Sequence, residues 1–180
     1  YRLFANCKSL DIVDFTNTNA PLLNTLSNAF AADTKLISAD FTGATFTNAS
    51  GINLNSCFNG DTSLQTVTGL GATGAKATDL AYFINDCRSL QNLDGLAGLD
   101  TSKTSSIYYF ARNCSSITSV EPIKDFVTTS LKDYRNAFDG CGSLITAKPL
   151  DAWDITAGTN FANTFANTNL TYETLPWTDC

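Results

Sequence analysis

With 180 residues and 43% hydrophobic content, the chain can build one domain with a substantial core, and disorder for want of apolar surface is excluded. Charged residues make up only 16%, the net charge is −6 and the pI is near 4.4, which excludes a phosphate-backbone binder with its clustered Lys and Arg. No apolar run approaches the roughly 18 residues of a bilayer span, and no signal peptide is visible.

One pattern recurs along the chain. Its anchor is the apolar residue that closes each Ser-Leu-like step: Leu10, Leu36, Leu64, Leu90, Ile117, Leu144 and Leu170, at intervals of 26, 28, 26, 27, 27 and 26. In chain order, each unit opens with a predicted short helix. Ile107, Phe110, Ala111 and Cys114 stand ten, seven, six and three residues before Ile117, which is the i, i+3, i+4 spacing of a helix face. A predicted short strand follows from the anchor to four residues beyond it. Its third residue after the anchor points inward (Val13, Ala39, Val67, Leu93, Val120, Ala147), and its neighbours point outward. Gly or Pro ends the strand in "VTGL", "LDGL", "VEPI" and "AKPL". A Ser/Thr/Asp loop then caps the next helix, as in "DTSK" at Asp100 to Lys103.

One such unit cannot bury its own apolar face, whereas stacked units bury a continuous core. The expected fold is therefore an α/β repeat solenoid of leucine-rich-repeat-like type. Each repeat of about 27 residues holds one short parallel strand and one short helix, and about six repeats form a single solenoid domain over 1–180. The pattern is already running at Leu3 and still running near Cys180, and the chain contains no Met, so it reads as a fragment of a longer array.

With these columns in place, the sequence resembles the BspA-like leucine-rich repeats, the lipoprotein-associated repeats of unknown function in bacterial surface proteins. The stretches "LDTSKTSSIYYFARNCSSITSV" (Leu99 to Val120), "LDAWDITAGTNFANTF" (Leu150 to Phe165), "LFANCKSLDIVDF" and "AFDGCGSL" carry the likeness, which covers essentially the whole chain. The family's two Met columns are filled here by other apolar residues. The resemblance implies extracellular or cell-surface display, adhesion and partner binding; members also occur in virion and phage particle proteins.

Candidate chemistry is sparse. Cys7, Cys87, Cys114 and Cys141 all stand three before an anchor, in a column that Asp33, Asp61 and Thr168 also occupy. Helices packed about 8–10 Å apart would hold such thiols beyond the roughly 7 Å that a disulfide spans. Buried structural thiols are thus favoured over bridges, and bridges over a metal or redox site. "GLGATG" (Gly69 to Gly74) matches a dinucleotide-binding glycine pattern but occupies an ordinary post-strand loop. The chain has no His, which removes Ser-His and Cys-His nucleophiles and histidine-ligated zinc. Asn48, Asn113 and Asn169 fit the glycosylation pattern, as abundant Asn does by chance.

No catalytic residue, metal or cofactor is expected, and an enzyme is not. The best functional surface is the outward strand columns, with Asp14, Asp40, Thr68, Asp94, Glu121, Gln65, Gln91 and Asn92 as candidate binding residues. The expected role is a surface-displayed recognition or adhesion module that holds a protein or glycan on a host or neighbouring cell. The alternative is a building block of an extracellular filament or virion appendage, with copies of the chain itself as partners.

Overall fold

The computed structural model describes residues 3–177. Among them the strands are β1 (Ile12–Asp14), β2 (Ser38–Asp40), β3 (Ile52–Asn53), β4 (Thr66–Thr68) and β5 (Ala77–Asp79). β1, β2 and β4 form one parallel sheet, in which Val13, Ala39 and Val67 are in register and so are Asp14, Asp40 and Thr68. Successive partners are 26 and then 28 residues apart, so the chain returns over itself at the anchor spacing. β3 and β5 form a second parallel pair, which an isolated bridge extends from Asn53 to Thr25; further along the chain Ser106, Asp133 and Asn160 are bridged in series. The middle residue of β1, β2 and β4 is buried while its neighbours are not, as strand alternation requires. Each return of 25–28 residues makes one coil.

The segments before the anchors differ from expectation. The described residues contain no α-helix; between Leu26 and Leu36 the chain makes a run of tight turns instead. Ala29 N–H donates to Leu26 O, Asp33 N–H to Phe30 O and Leu36 N–H to Asp33 O, all i→i−3. The intervening donors leave the segment. Leu26, Asn28, Phe30 and Ala32 give their N–H groups to Asn53, Asn55, Cys57 and Asn59 on the next coil. An α-helix spends those donors on its own i−4 carbonyls; here the neighbouring coil takes them.

Consecutive tight turns that bury every third residue reproduce the 3-and-4 spacing of a helix face, which is why the sequence imitates one. The tight-turn stretch of each coil uses two left-handed residues. One set is Asn28, Ser56, Tyr82, Tyr109, Asn136 and Asn163; the other includes Asn6, Ala32, Gly60, Asp86, Asn113 and Gly140. Asn and Gly recur at these points because they enter that region at least cost.

The core follows from this register. A phenylalanine ladder runs through Phe4, Phe30, Phe58, Phe83, Phe110, Phe138 and Phe165, with ring centroids 5.3–6.0 Å apart. Beside it the thiols of Cys87, Cys114 and Cys141 donate to the carbonyls of Phe58, Ile84 and Ala111 on the preceding coil. The described cysteines Cys7, Cys57, Cys87, Cys114 and Cys141 are free, and Cys7 is only half-buried. Cys180 lies outside the described residues. Separation between helices does not keep these thiols apart, because successive coils hydrogen-bond as parallel strands do, at roughly 4.8 Å. Each of the three thiols is instead held by a carbonyl of its own. Among the described residues no helix is long and apolar enough to cross a membrane.

Candidate functional site

The expected strand face is a continuous column that changes its backbone midway. Asp14, Asp40 and Thr68 end β1, β2 and β4 side by side. Their polar atoms are largely engaged. Asp14 Oδ1 accepts from the Thr16 N–H and hydroxyl, and Asp40 Oδ1 accepts from the Thr42 N–H and the Thr68 hydroxyl. These bonds, led by the Thr16 and Thr42 side chains, hold both carboxyls below the usual carboxylate range.

Asp94 and Glu121 do not lie on strands. They open the 3-10 turns Asp94–Leu96 and Glu121–Ile123. Gly95 permits the first of these, since a Cβ there would collide with the Val67 carbonyl. Pro122 favours the second, because it has no N–H to give a ladder. Asn92 Oδ1 accepts the Asp94 N–H at 3.1 Å, and Glu121 pairs with Lys124. Gln65 and Gln91 are exposed, and the Gln91 N–H donates to Gln65 O. "GLGATG" forms the 3-10 turn Leu70–Thr73 between left-handed Gly69 and Gly74.

A second surface lies on the tight-turn side. The rings of Tyr82 and Tyr109 stack at 5.0 Å, and Tyr108 meets both edge-on at 5.3 and 4.2 Å. The Arg112 guanidinium lies 5.0 Å from the Tyr109 centroid and that of Arg135 lies 4.6 Å from Tyr108. Each arginine is also anchored by a carboxylate. Arg112 Nε reaches Asp139 at 3.2 Å, while Arg135 grips Asp133 with two nitrogens at 2.9 and 2.6 Å. The Arg135 side chain holds Asp133 below the usual range, and the hydrogen bond that the Tyr109 hydroxyl makes to Tyr108 lifts the Tyr109 phenol. All five long side chains are half-buried, so the cluster is ordered yet reachable.

The backbone underneath is unusual. Tyr82 and Tyr109 have φ of 57°, in the column that Asn28, Ser56 and Asn136 occupy on other coils. A left-handed conformation costs an L-residue roughly 1–2 kcal/mol, and bulky residues are rare there.

Among the described residues no three of His, Cys, Asp and Glu converge as a metal-ligand set. Burial pushes the Cys87 and Cys114 thiols well up and that of Cys141 to about 12, so they stay protonated. What the two surfaces offer is hydrogen-bonding and aromatic recognition.

No protein-family model, curated protein or solved structure matches the chain.

Sequence reasoning missed the tyrosine cluster because it assigned "SSIYYFARNC" to a helix and followed only its inward positions. The signal was the adjacent pair Tyr108 and Tyr109 at outward positions, with Arg112 three residues beyond.

Proposed function

We propose that the chain is a non-catalytic recognition module of leucine-rich-repeat-like solenoid type, displayed at a cell surface, that binds a protein or glycan partner. The observation that carries this reading is the pair Tyr82 and Tyr109. The fold calls for a left-handed residue at this point of each coil, and Asn or Ser fills it elsewhere; large, half-exposed aromatic side chains kept there at the cost of strain are a mark of function, since neither the core nor local preference calls for tyrosine. Tyrosine and arginine are also enriched at the centres of binding surfaces: tyrosine offers broad contact area with few rotatable bonds to freeze, and arginine a planar fork of donors that stacks on aromatic faces. The resemblance to BspA-like surface repeats supports the same reading. The strand-edge residues Asp14, Asp40, Thr68, Asp94 and Glu121 are the second candidate surface.

The test selects binders from a phage-displayed peptide library and from an immobilised glycan array, then compares variants. Tyr108→Ala and Arg135→Ala probe the turn face; Asp94→Lys with Glu121→Lys probes the strand edge. Loss of binding by about thirtyfold in the first pair, the size of a hot spot of ~2 kcal/mol, is expected with the fold retained. If the charge reversals alone abolish binding, the strand edge carries recognition. A chain that selects nothing from either source contradicts the proposal.

A further inference from the structure

In the tight-turn stretch every coil is joined to the next with the same polarity, giving its N–H groups to carbonyls of the coil that follows. Phe4 and Asn6 donate in this way to Ala29 and Ala31, and Phe138 and Gly140 donate to Thr164 and Ala166 at 2.9 and 2.8 Å. The two ends of the described stack are therefore complementary. On the last coil the Phe165 and Asn167 N–H groups find no acceptor among the described residues, and on the first the Leu3 and Ala5 carbonyls find no donor. The core columns open at the same two places. The ladder phenylalanines from Phe30 to Phe138 are fully buried, but Phe4 is exposed and Phe165 only half-buried. Leu3 and Ile12 stand out beside Phe4, 57% and 58% exposed, around a hollow of about 260 Å³. At the other end Phe161, Phe165, Leu175 and Trp177 line an apolar hollow of about 360 Å³. A solenoid end without a polar outer face calls for a cover.

We propose that the cover is a second copy of the chain, its first coil stacked on the last coil of the copy before it. The repeat itself sets the register. Leu3 and Ala5 flank Phe4 as Thr164 and Ala166 flank Phe165. Phe165 N–H then donates to the second copy's Leu3 carbonyl and Asn167 N–H to its Ala5 carbonyl. The second copy's Phe4 ring continues the ladder over Phe165, as Phe165 itself stacks on Phe138 at 5.5 Å. An unrelated apolar partner fills a hollow but buries those donors and acceptors unpaired, which is costly. A like coil satisfies the hollows and the backbone groups together. The two faces that meet are different, so each added copy presents a fresh end. Such a heterologous contact builds an open stack unless its rotation closes a ring. Tyr82, Tyr108 and Tyr109 lie on middle coils, away from the joint, so this inference stands independently of the recognition reading.

The test is sedimentation velocity and light scattering of the whole chain from micromolar to millimolar concentration, where the mass should rise above that of a monomer. Leu3→Lys blocks the first-coil end and Phe161→Lys the last-coil end. Leu175→Lys is a second block of the last-coil hollow, used in place of Phe161→Lys if that variant loses the circular dichroism of the parent. Each blocked variant alone should stay monomeric. An equimolar mixture of a first-coil block and a last-coil block should form dimers and nothing larger, because a single competent joint remains. A parent that is monomeric at millimolar concentration overturns the proposal. So does assembly that either block leaves intact, as lateral association would be, and so does a mixture of folded blocks that stays monomeric.

Discussion

The backbone N–H of Asp33 donates to the carboxylate of Asp61 at 2.8 Å, and both side chains are buried. They occupy the column where other coils have cysteine. One oxygen of each carboxyl, Oδ2, has no hydrogen-bond partner. Burial raises both acids, Asp61 to about 8, with Asp33, Cys57 and Cys87 as its ionisable neighbours. The folded pKa lies above the unfolded 3.8, so folding retains a proton. The stability this gives is complete below about pH 4 and is lost as pH rises towards 8. Asp61→Asn keeps the acceptor for Asp33 and removes the titration. Thermal melts should therefore show the variant more stable than the parent at pH 9 by roughly 5 °C, with little difference at pH 4. A parent whose melting temperature rises between pH 5 and 8 relative to the variant contradicts the assignment.

The phenylalanine ladder predicts a gradient of cost along the chain. Phe83 is fully buried between Phe58 and Phe110, at centroid distances of 5.6 and 6.0 Å. Phe4 stacks on Phe30 but is 41% exposed. Removing a buried ring costs its transfer energy, its cavity and its ring contacts. Phe83→Ala should lower unfolding free energy by about 3–5 kcal/mol and Phe4→Ala by about 1 kcal/mol. Urea titration of the two variants measures the difference; equal losses would mean that the ladder is not one continuous core.

What was legible in the sequence was which side chains face inward. Val13, Ala39 and Val67 stand in the strand register the spacing implied, because burial imprints composition directly. The backbone beneath them was not legible. Leu26, Ala29, Phe30 and Leu36 have the spacing of a helix face, yet their donors are divided between i−3 carbonyls and the next coil. Apolar periodicity reports the direction of side chains and is silent on which carbonyl each N–H finds. The same blindness moved Asp94 and Glu121 onto strands and hid Tyr82, Tyr108 and Tyr109, whose outward positions were never sorted by their neighbours across coils.

The thiols make a simple chemical prediction. Cys57, Cys87, Cys114 and Cys141 are fully buried, and burial raises their pKa values, so the reactive thiolate is scarce in the folded chain. Cys7 is half-buried. In a Cys180→Ser background, a disulfide reagent such as dithiobis-nitrobenzoate should label Cys7 first. The four buried thiols should react only as fast as the chain unfolds. Rapid labelling of Cys87 or Cys114 in the native state would show that the column opens far more readily than its packing implies.

Tyr109 separates stability from recognition. Its left-handed backbone costs roughly 1–2 kcal/mol, and asparagine, which takes the equivalent place at Asn28 and Asn136, bears less of that cost. Replacing it forfeits the stacking on Tyr82, about 0.5–1.5 kcal/mol, and the Arg112 cation contact, about 0.5–1 kcal/mol. These opposing effects nearly cancel. Tyr109→Asn should therefore shift unfolding free energy by less than about 1 kcal/mol, whereas truncating a core aromatic ring costs about 3–5 kcal/mol. Binding of any ligand selected through the turn face should fall at least about tenfold in the same variant. Chemical denaturation and titration on one preparation test both halves. A stability loss near 3 kcal/mol would mark Tyr109 as a packing residue and remove the reason for regarding its strained backbone as functional.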